Sequence, residues 1–145
     1  MSEKEVQTLD ALLYELRYEG TRVERIIIAP KEDNIPEGQH EVGITISPSV
    51  TWSPDGRAIF ELRYTTDSPA VDFDVRILAL YRHDIAVDIP EDLIWEFFAT
   101  VALHSLYAVS QRVRDSLNPI LLMTLDFLPP IDEIIASLEG KRVVT

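Results

Sequence analysis

The hydrophobic pattern of this chain changes period once, near residue 90, and this change constrains the fold more than any other feature. Before residue 90, apolar and polar residues alternate, which is typical of strands with one buried face. After it, apolar residues recur at the spacing of a helix. The alternation is clearest between Glu41 and Trp52, where Val42, Ile44, Ile46, Val50 and Trp52 share one parity. Strands followed by helices predict an α+β domain.

Four strands are predicted before residue 90. They run from about Leu13 to Ala29 with a break or bulge at Gly20, and then over 41–52, 57–64 and 71–85. Residues 53–56 read Ser-Pro-Asp-Gly, which is turn chemistry, so the second and third strands should form an antiparallel hairpin. The polar connection 31–39 is long enough to cross over a sheet edge.

Two helices are predicted after the strands. Pro90 opens a long helix that runs to Leu117, about 28 residues and ~42 Å. A short helix runs from about Pro130 to Glu139, and Gly140 stands at its C′ position. We therefore predict a four-stranded antiparallel sheet, a long helix and a short C-terminal helix in one domain, 1–145. In that domain, 1–12 is an N-terminal extension, 13–89 the sheet, 90–139 the helices and 140–145 a tail.

Composition excludes several classes of function. The net charge of -12 disfavours nucleic acid and anionic lipid as partners. Cysteine is absent, so disulfides, thiol catalysis and thiolate metal sites are excluded. The N-terminus lacks the pattern of a secretory signal, and no run reaches the ~18 apolar residues of a membrane span, so we expect a cytoplasmic protein without membrane insertion.

No enzyme is indicated by the remaining chemistry-bearing residues. His40, His83 and His104 are scattered and lack metal-ligand spacing, and the five glycines form no phosphate-binding loop. The carboxylate pairs lie in loops or at helix starts, where capping and solvation explain them. We expect neither catalytic residues nor a metal or cofactor.

The chain also carries more apolar surface than one sheet and two helices need. The surplus lies on the front of the long helix, at Leu78 and Leu80 on the polar strand face, and in the strip 120–127. Asn118-Pro119 ends the long helix and Pro129-Pro130 starts the next one, so the strip is held between them. Apolar surface of this extent usually marks an interface or a binding groove.

The order of these elements resembles the SecB family of export chaperones and its SecB-like relatives. The resemblance covers roughly residues 13 to 138. It rests on LRYEGTRVERIII, the hairpin from ITISPSVTW to RAIFELRYTT, VDFDVRILALY, the Leu106-Tyr107-Ala108 helix, and the segment NPILLMTLDF. It implies an ATP-independent holdase that forms dimers or tetramers and binds unfolded polypeptides in apolar grooves. The matching groove positions are Trp52, Tyr81, Ile120, Leu121, Met123 and Phe127.

The chain departs from the family where export is concerned. Residues 80–84 lack the family's glycine, and Arg76 stands where an acidic residue docks the translocase motor. Val109 and Asn118 replace a familiar arginine and glycine. A chaperone dedicated to one client, such as an antitoxin, therefore fits as well as an export role with the translocase motor as partner. The alternative is a non-catalytic oligomeric interaction protein, whose subunit interface would consume the apolar strip.

Overall fold

The protein is described here from a computed structural model, over residues 8–30, 44–53, 55–66, 71–85, 89–117 and 128–139. The elements in chain order are α1 (Leu9–Glu15), β1 (Arg17–Pro30), β2 (Ile44–Ser53), β3 (Arg57–Thr66), β4 (Val71–Arg82), α2 (Glu91–Phe97), a π-helical turn (Phe98–Ala102), α3 (Leu103–Leu117) and α4 (Ile131–Glu139). The segment from α2 to α3 is one long helix. The predicted α+β architecture, with its four strands, long helix and short C-terminal helix, is confirmed.

The four strands form one antiparallel sheet in the order β1-β4-β3-β2. β2 and β3 make the predicted hairpin. β1 and β2 are the two edge strands, so the chain between Pro30 and Ile44 joins opposite edges of the sheet, as the length of the polar connection predicted. The register of β1 against β4 shifts between Tyr18 and Gly20 and again between Val23 and Arg25. The bulge expected at Gly20 is present, whereas the one at Glu24 was not predicted.

The predicted start of the first strand at Leu13 is wrong, because residues 9–15 form helix α1. The hydroxyl of Thr8 caps this helix and accepts a hydrogen bond from the backbone N–H of Ala11 at 3.2 Å. Leu12 is fully buried and Leu16 nearly so. Leucines at this spacing also suit an amphipathic helix, and their burial in the core makes the helix the more favourable choice.

The core lies between the sheet and the long helix. Phe60 on β3 is fully buried, and its ring packs against Tyr81, Phe97 and Phe98 with centroid distances of 5.5, 5.3 and 5.4 Å. Further along the helix, the buried hydroxyls of Tyr64 and Ser110 share a hydrogen bond of 2.9 Å. Burial raises the pKa of Tyr64 to about 12, so its phenol stays neutral and can keep this bond. These contacts fix the long helix against β3 and β4, and its α3 part also lies close to β1.

A π-helical turn interrupts the long helix at Phe98–Ala102. Such a turn adds a residue to the helix and rotates the helical residues beyond it. Buried residues therefore lie before the turn at Phe97, within it at Phe98, and beyond it at Leu103 and Leu106. The helix from Glu91 to Ser116 is long and apolar enough to span a membrane. More than half of its apolar stretch is nevertheless buried within the protein, as in a core helix.

The sheet face turned away from the helices carries ion pairs. The guanidinium of Arg63 donates to both carboxylate oxygens of Asp74, at 3.0 and 2.9 Å. The Nε of Arg76 donates to Glu61 at 2.7 Å. Leu78 also lies on this face, opposite Glu61 and Arg22 by register, and it is only 8% exposed. We call this surface the outer face.

Acid should weaken the fold partly through Asp74. Its hydrogen bonds to Arg63, and then the positive charges of Arg63, Arg25 and Arg76, hold the pKa of Asp74 below the ordinary value. The charged form is therefore favoured in the folded state, and this contribution is present above the unfolded pKa of about 3.9 and lost as pH falls through the folded pKa. Asp74→Asn should lower the free energy of unfolding by roughly 1 to 3 kcal/mol at neutral pH. The difference should shrink in acid when unfolding is measured against pH. Asp84→Asn is the control, because that carboxylate is 81% exposed, and a pH-independent loss in Asp74→Asn would contradict the prediction.

A second prediction concerns Gly56 in the hairpin turn. Gly56 has φ of +100°, and an added Cβ would lie 2.8 Å from the backbone oxygen of His83, whereas Gly20 has φ of +138° and open space around it. Gly20→Ala should cost about 1 to 2 kcal/mol from backbone strain alone. Gly56→Ala should cost more, because the backbone at His83 must also move. Chemical denaturation of both variants compares them, and equal losses would count against this account.

Candidate functional site

A cleft of about 510 Å³ lies between β2 and the start of α4. We call it the β2–α4 cleft. It is lined by Ile44, Ile46, Leu128, Pro129, Pro130, Glu133, Ile134 and Ser137. Its volume falls within the range of about 300 to 1,000 Å³ that is typical of ligand sites. Most of its lining is aliphatic, with one carboxylate and one hydroxyl contributed by α4.

The floor of the cleft follows from the alternation in β2. Ile44 and Ile46 face the helix layer but remain only half-buried, because the long helix packs against β3, β4 and β1 and does not pack closely on β2. β2 also contains Pro48, which has no backbone N–H to offer a further strand. An apolar strand face and an incompletely covered sheet edge therefore border the same cleft.

The opposite wall is held by prolines and by one hydrogen bond. The phenol of Tyr107 on α3 donates to the backbone oxygen of Pro129 at 3.0 Å. The oxygen of Pro130 accepts from the N–H of Glu133 at 3.0 Å and so starts α4. Ile134 and Leu138 anchor α4 in the core, and they are 2% and 0% exposed. The hydrogen bond to α3 and the burial of α4 in the core thus hold this wall of the cleft in place.

A second apolar surface borders the other sheet edge, along β1. One part is a groove of about 270 Å³ lined by Val23, Ile26, Val109, Arg112, Val113 and Ser116. The other part is a pocket of about 300 Å³ lined by Leu13, Leu16, Tyr18, Tyr81, Phe97, Val101 and Ser105. We call the two together the β1 groove. Val23 and Ile26 face the helix layer but are 38% and 45% exposed.

The two sheet residues predicted to contact clients lie together, at the hairpin end of the sheet. Trp52 is half-buried and stacks on His83 at a ring distance of 4.2 Å. Tyr81 is 5% exposed, its ring packs on Phe60 and Phe97, and burial raises its pKa to about 12. Trp52 is eight residues from Ile44, roughly 26 Å along a strand. The β2–α4 cleft is therefore at the other end of β2, and the assignment of Trp52 and Tyr81 to client contacts stays a prediction.

The other four predicted contacts lie outside the described residues. These are Ile120, Leu121, Met123 and Phe127. These four residues come shortly before the cleft wall in the sequence, because Leu128, which lines the cleft, follows Phe127 directly. Ile44 likewise directly follows the connection 31–43.

The lining of the β2–α4 cleft was not predicted residue by residue. The strand parity placed Ile44 and Ile46 on the buried face of β2, and that signal was sound, but it could not reveal that the helix leaves them half-covered. The Pro129-Pro130 pair was recognised only as a helix start. The missing information was the distance of each strand from the long helix.

The described residues contain no cluster of three or more His, Asp or Glu side chains able to hold a metal ion. His83 is 3% exposed, and its Nδ1 accepts from the N–H of Ile85 at 3.1 Å. Its Nε2 has no partner among the described residues. The ring of His83 stacks on Trp52, and its backbone N–H donates to the oxygen of Gly56. This histidine therefore packs the end of the sheet.

Comparisons with protein families and with curated proteins find no match. Among solved structures, the chain is similar to the SecB-like chaperone Rv1957 of Mycobacterium tuberculosis, solved in complex with a ChAD peptide from the Rv1956 HigA1 antitoxin. The TM-score is 0.60 at 17% sequence identity, and the match covers 83% of this chain and 93% of that chain. The fold of this protein is therefore SecB-like, as the element order predicted.

Proposed function

We propose that this protein is a chaperone that binds non-native polypeptide segments in the β2–α4 cleft. The observation that carries the proposal is an open cleft of about 510 Å³ in a SecB-like fold, in which six of the eight lining residues are apolar and polar atoms supply nearly half of the lining surface. Aliphatic walls accept many side chains with little preference for sequence. A polypeptide that exposes apolar residues in extended form is therefore the ligand that the cleft suits best.

Binding would hold clients by mass action, without a nucleotide cycle. A ligand that binds only non-native chains withdraws them from aggregation in proportion to its concentration and affinity. The edge strand β2 adds a means of contact, since an extended segment can also form backbone hydrogen bonds along a sheet edge, except at Pro48, which has no N–H to donate. The absence of a phosphate-binding loop from the sequence supports ATP independence. Neither a cofactor nor a metal enters this mechanism, and we propose that it operates in the cytoplasm.

A dedicated client is favoured over general export. Rv1957, which shares the fold, was solved with a peptide from an antitoxin, so a protein of this fold can bind a segment of one protein partner. The outer face of the present chain carries Arg76 where the resembled export chaperones have an acidic docking residue. We therefore propose a restricted set of clients, without delivery to a translocase motor.

We further propose that two copies pair through the β1 groove. Val23 and Ile26, which line it, are exposed apolar residues on β1, an edge strand of 14 residues. An exposed strand edge with apolar side chains is costly to leave in water. Pairing there would leave the β2–α4 cleft on the far edge of each sheet free for clients. If the assembly instead covered that cleft, the protein would be an oligomeric interaction protein with no client.

The client site is tested by two neighbouring residues of β2. Ile46→Asp places a carboxylate on the floor of the cleft, and it should abolish suppression of the aggregation of an unfolded test protein, measured by light scattering. Thr45→Asp is the matched control, since Thr45 is exposed on the opposite face of the same strand. Full suppression by a folded Ile46→Asp variant would exclude the cleft as the client site.

The subunit interface is tested by two adjacent isoleucines of β1. Ile26 and Ile27 are 45% and 44% exposed, but only Ile26 lines the β1 groove, and Ile27 lies on the outer face. Ile26→Arg should convert the assembly to monomers, while Ile27→Arg should leave its mass unchanged. Sedimentation equilibrium measures both, and the opposite ranking would place the interface elsewhere.

A further inference from the structure

The outer face of the sheet concentrates the arginines of an otherwise acidic chain. Seven of the ten arginines lie on it by strand register: Arg17, Arg22, Arg25, Arg57, Arg63, Arg76 and Arg82. Among the side chains that the structure describes, the acidic residues of this surface are Glu61 and Asp74 by register, Glu19 and Glu24 at the bulges, and Asp55 and Asp84 beside the strand ends. The face is thus close to neutral, while the chain as a whole carries -12.

Around the Asp74 and Glu61 ion pairs, burial makes the exposed chemistry of this face more cationic than its formal charge. Asp74 and Glu61 are covered, with side chains 16% and 13% exposed. Their partners Arg63 and Arg76 are 44% and 34% exposed, and Arg25 beside them is 49% exposed. These two carboxylates lie under guanidinium groups that keep donors to spare, whereas Glu19, Glu24 and Asp84 elsewhere on the face are 44%, 43% and 81% exposed.

A cleft on the outer face brings three of these arginines together. It measures about 170 Å³ and is lined by Glu19, Arg22, Arg57, Ile59, Leu80, Tyr81 and Arg82. The Nε of Arg82 donates to Glu19 at 2.8 Å, and Arg22 pairs with Glu24 at 3.3 Å. Arg57 is exposed and forms no ion pair with any residue that the structure describes. Asp55 lies close enough for the charge of Arg57 to help lower its pKa, after the hydrogen bond from Ser53.

We propose that this cleft, which we call the arginine cleft, docks an acidic polypeptide segment of a partner protein. One carboxylate of the segment would accept hydrogen bonds from Arg57 and Arg22, and an adjacent apolar side chain would pack on Ile59 and Leu80. Charge-assisted bonds of guanidinium to carboxylate are among the stronger polar contacts, and Arg suits them because its donors form a planar fork.

A short acidic peptide fits the surroundings better than nucleic acid does. Electrostatic screening acts over about 8 Å at physiological ionic strength, so a short segment senses mainly the arginines near it. A nucleic acid carries charge along its whole length and would extend past the outer face over the acidic remainder of the chain. The arginine cleft also lies on the side of the sheet away from the helices, so a docked partner would not obstruct the β2–α4 cleft.

Binding of a fluorescent peptide in which Glu alternates with Leu tests the proposal by anisotropy. The unmodified protein should bind it, more weakly as salt is added, and should not bind the same peptide with Lys in place of Glu. Arg57→Glu should weaken binding about tenfold or more, the expected effect of losing one charge-assisted hydrogen bond. Arg114→Glu on α3 is the matched control and should change affinity less than about twofold, because Arg114 lies in the helix layer and distant charges are screened.

Further arms separate this site from the client site. Ile46→Asp should leave binding of the acidic peptide unchanged, and excess unfolded test protein should not compete with it. The unfolding midpoint checks that Arg57→Glu is folded, and Arg57→Gln should weaken binding in the same direction with less disturbance. Equal loss in Arg57→Glu and Arg114→Glu would overturn the proposal. So would tighter binding of a single-stranded oligonucleotide, or self-association that depends on Arg57.

Discussion

The packing of Phe60 against Phe97 and Phe98 positions the long helix, and most other features of the molecule depend on that position. A helix is about 10 Å across, and neighbouring strands lie about 4.8 Å apart, so one helix covers about two strands. The aromatic contact and the Tyr64–Ser110 hydrogen bond hold it against β3, and its α3 part lies close to β4 and to the edge strand β1. The edge strand β2 consequently keeps apolar residues that the helix does not cover, and β1 keeps residues that it covers only in part.

The two uncovered edges differ in what lies beside them. α4 approaches β2 and leaves the β2–α4 cleft, with a wall fixed by Tyr107 and Pro129. At the other edge, α1 covers only one end of β1, and Val23 and Ile26 stay exposed. One sheet thus offers two separate apolar surfaces, and we propose that one serves a client and the other a second copy. The outer face adds a third surface, where buried carboxylates hold exposed guanidinium groups in place, and it is chemically unlike the other two.

Sequence patterns predicted the elements well where one interaction decided the outcome. Alternation located β2, β3 and β4, because burial of one strand face needs only a period of two. Gly20 marked a bulge, because it lacks a side chain. The pattern failed at residues 13–16, where leucine spacing suited a strand and a helix alike, and contact with the core selected the helix. The π-helical turn was not predicted either, since it adjusts the two halves of one helix to the same sheet. Of the predicted client contacts, Trp52 and Tyr81 proved to lie at the end of the sheet away from the cleft.

The sequence by itself determined the α+β class, the order of the elements and the acidity that disfavours nucleic acid, because these follow from local periodicity, turn chemistry and composition. Only the tertiary structure decided which apolar residues remain accessible. Ile44 and Phe60 both occupy the buried parity of a strand, yet one lines an open cleft and the other is fully enclosed. The difference is the distance of each strand from a single helix, and that distance is set by contacts between residues far apart in the chain.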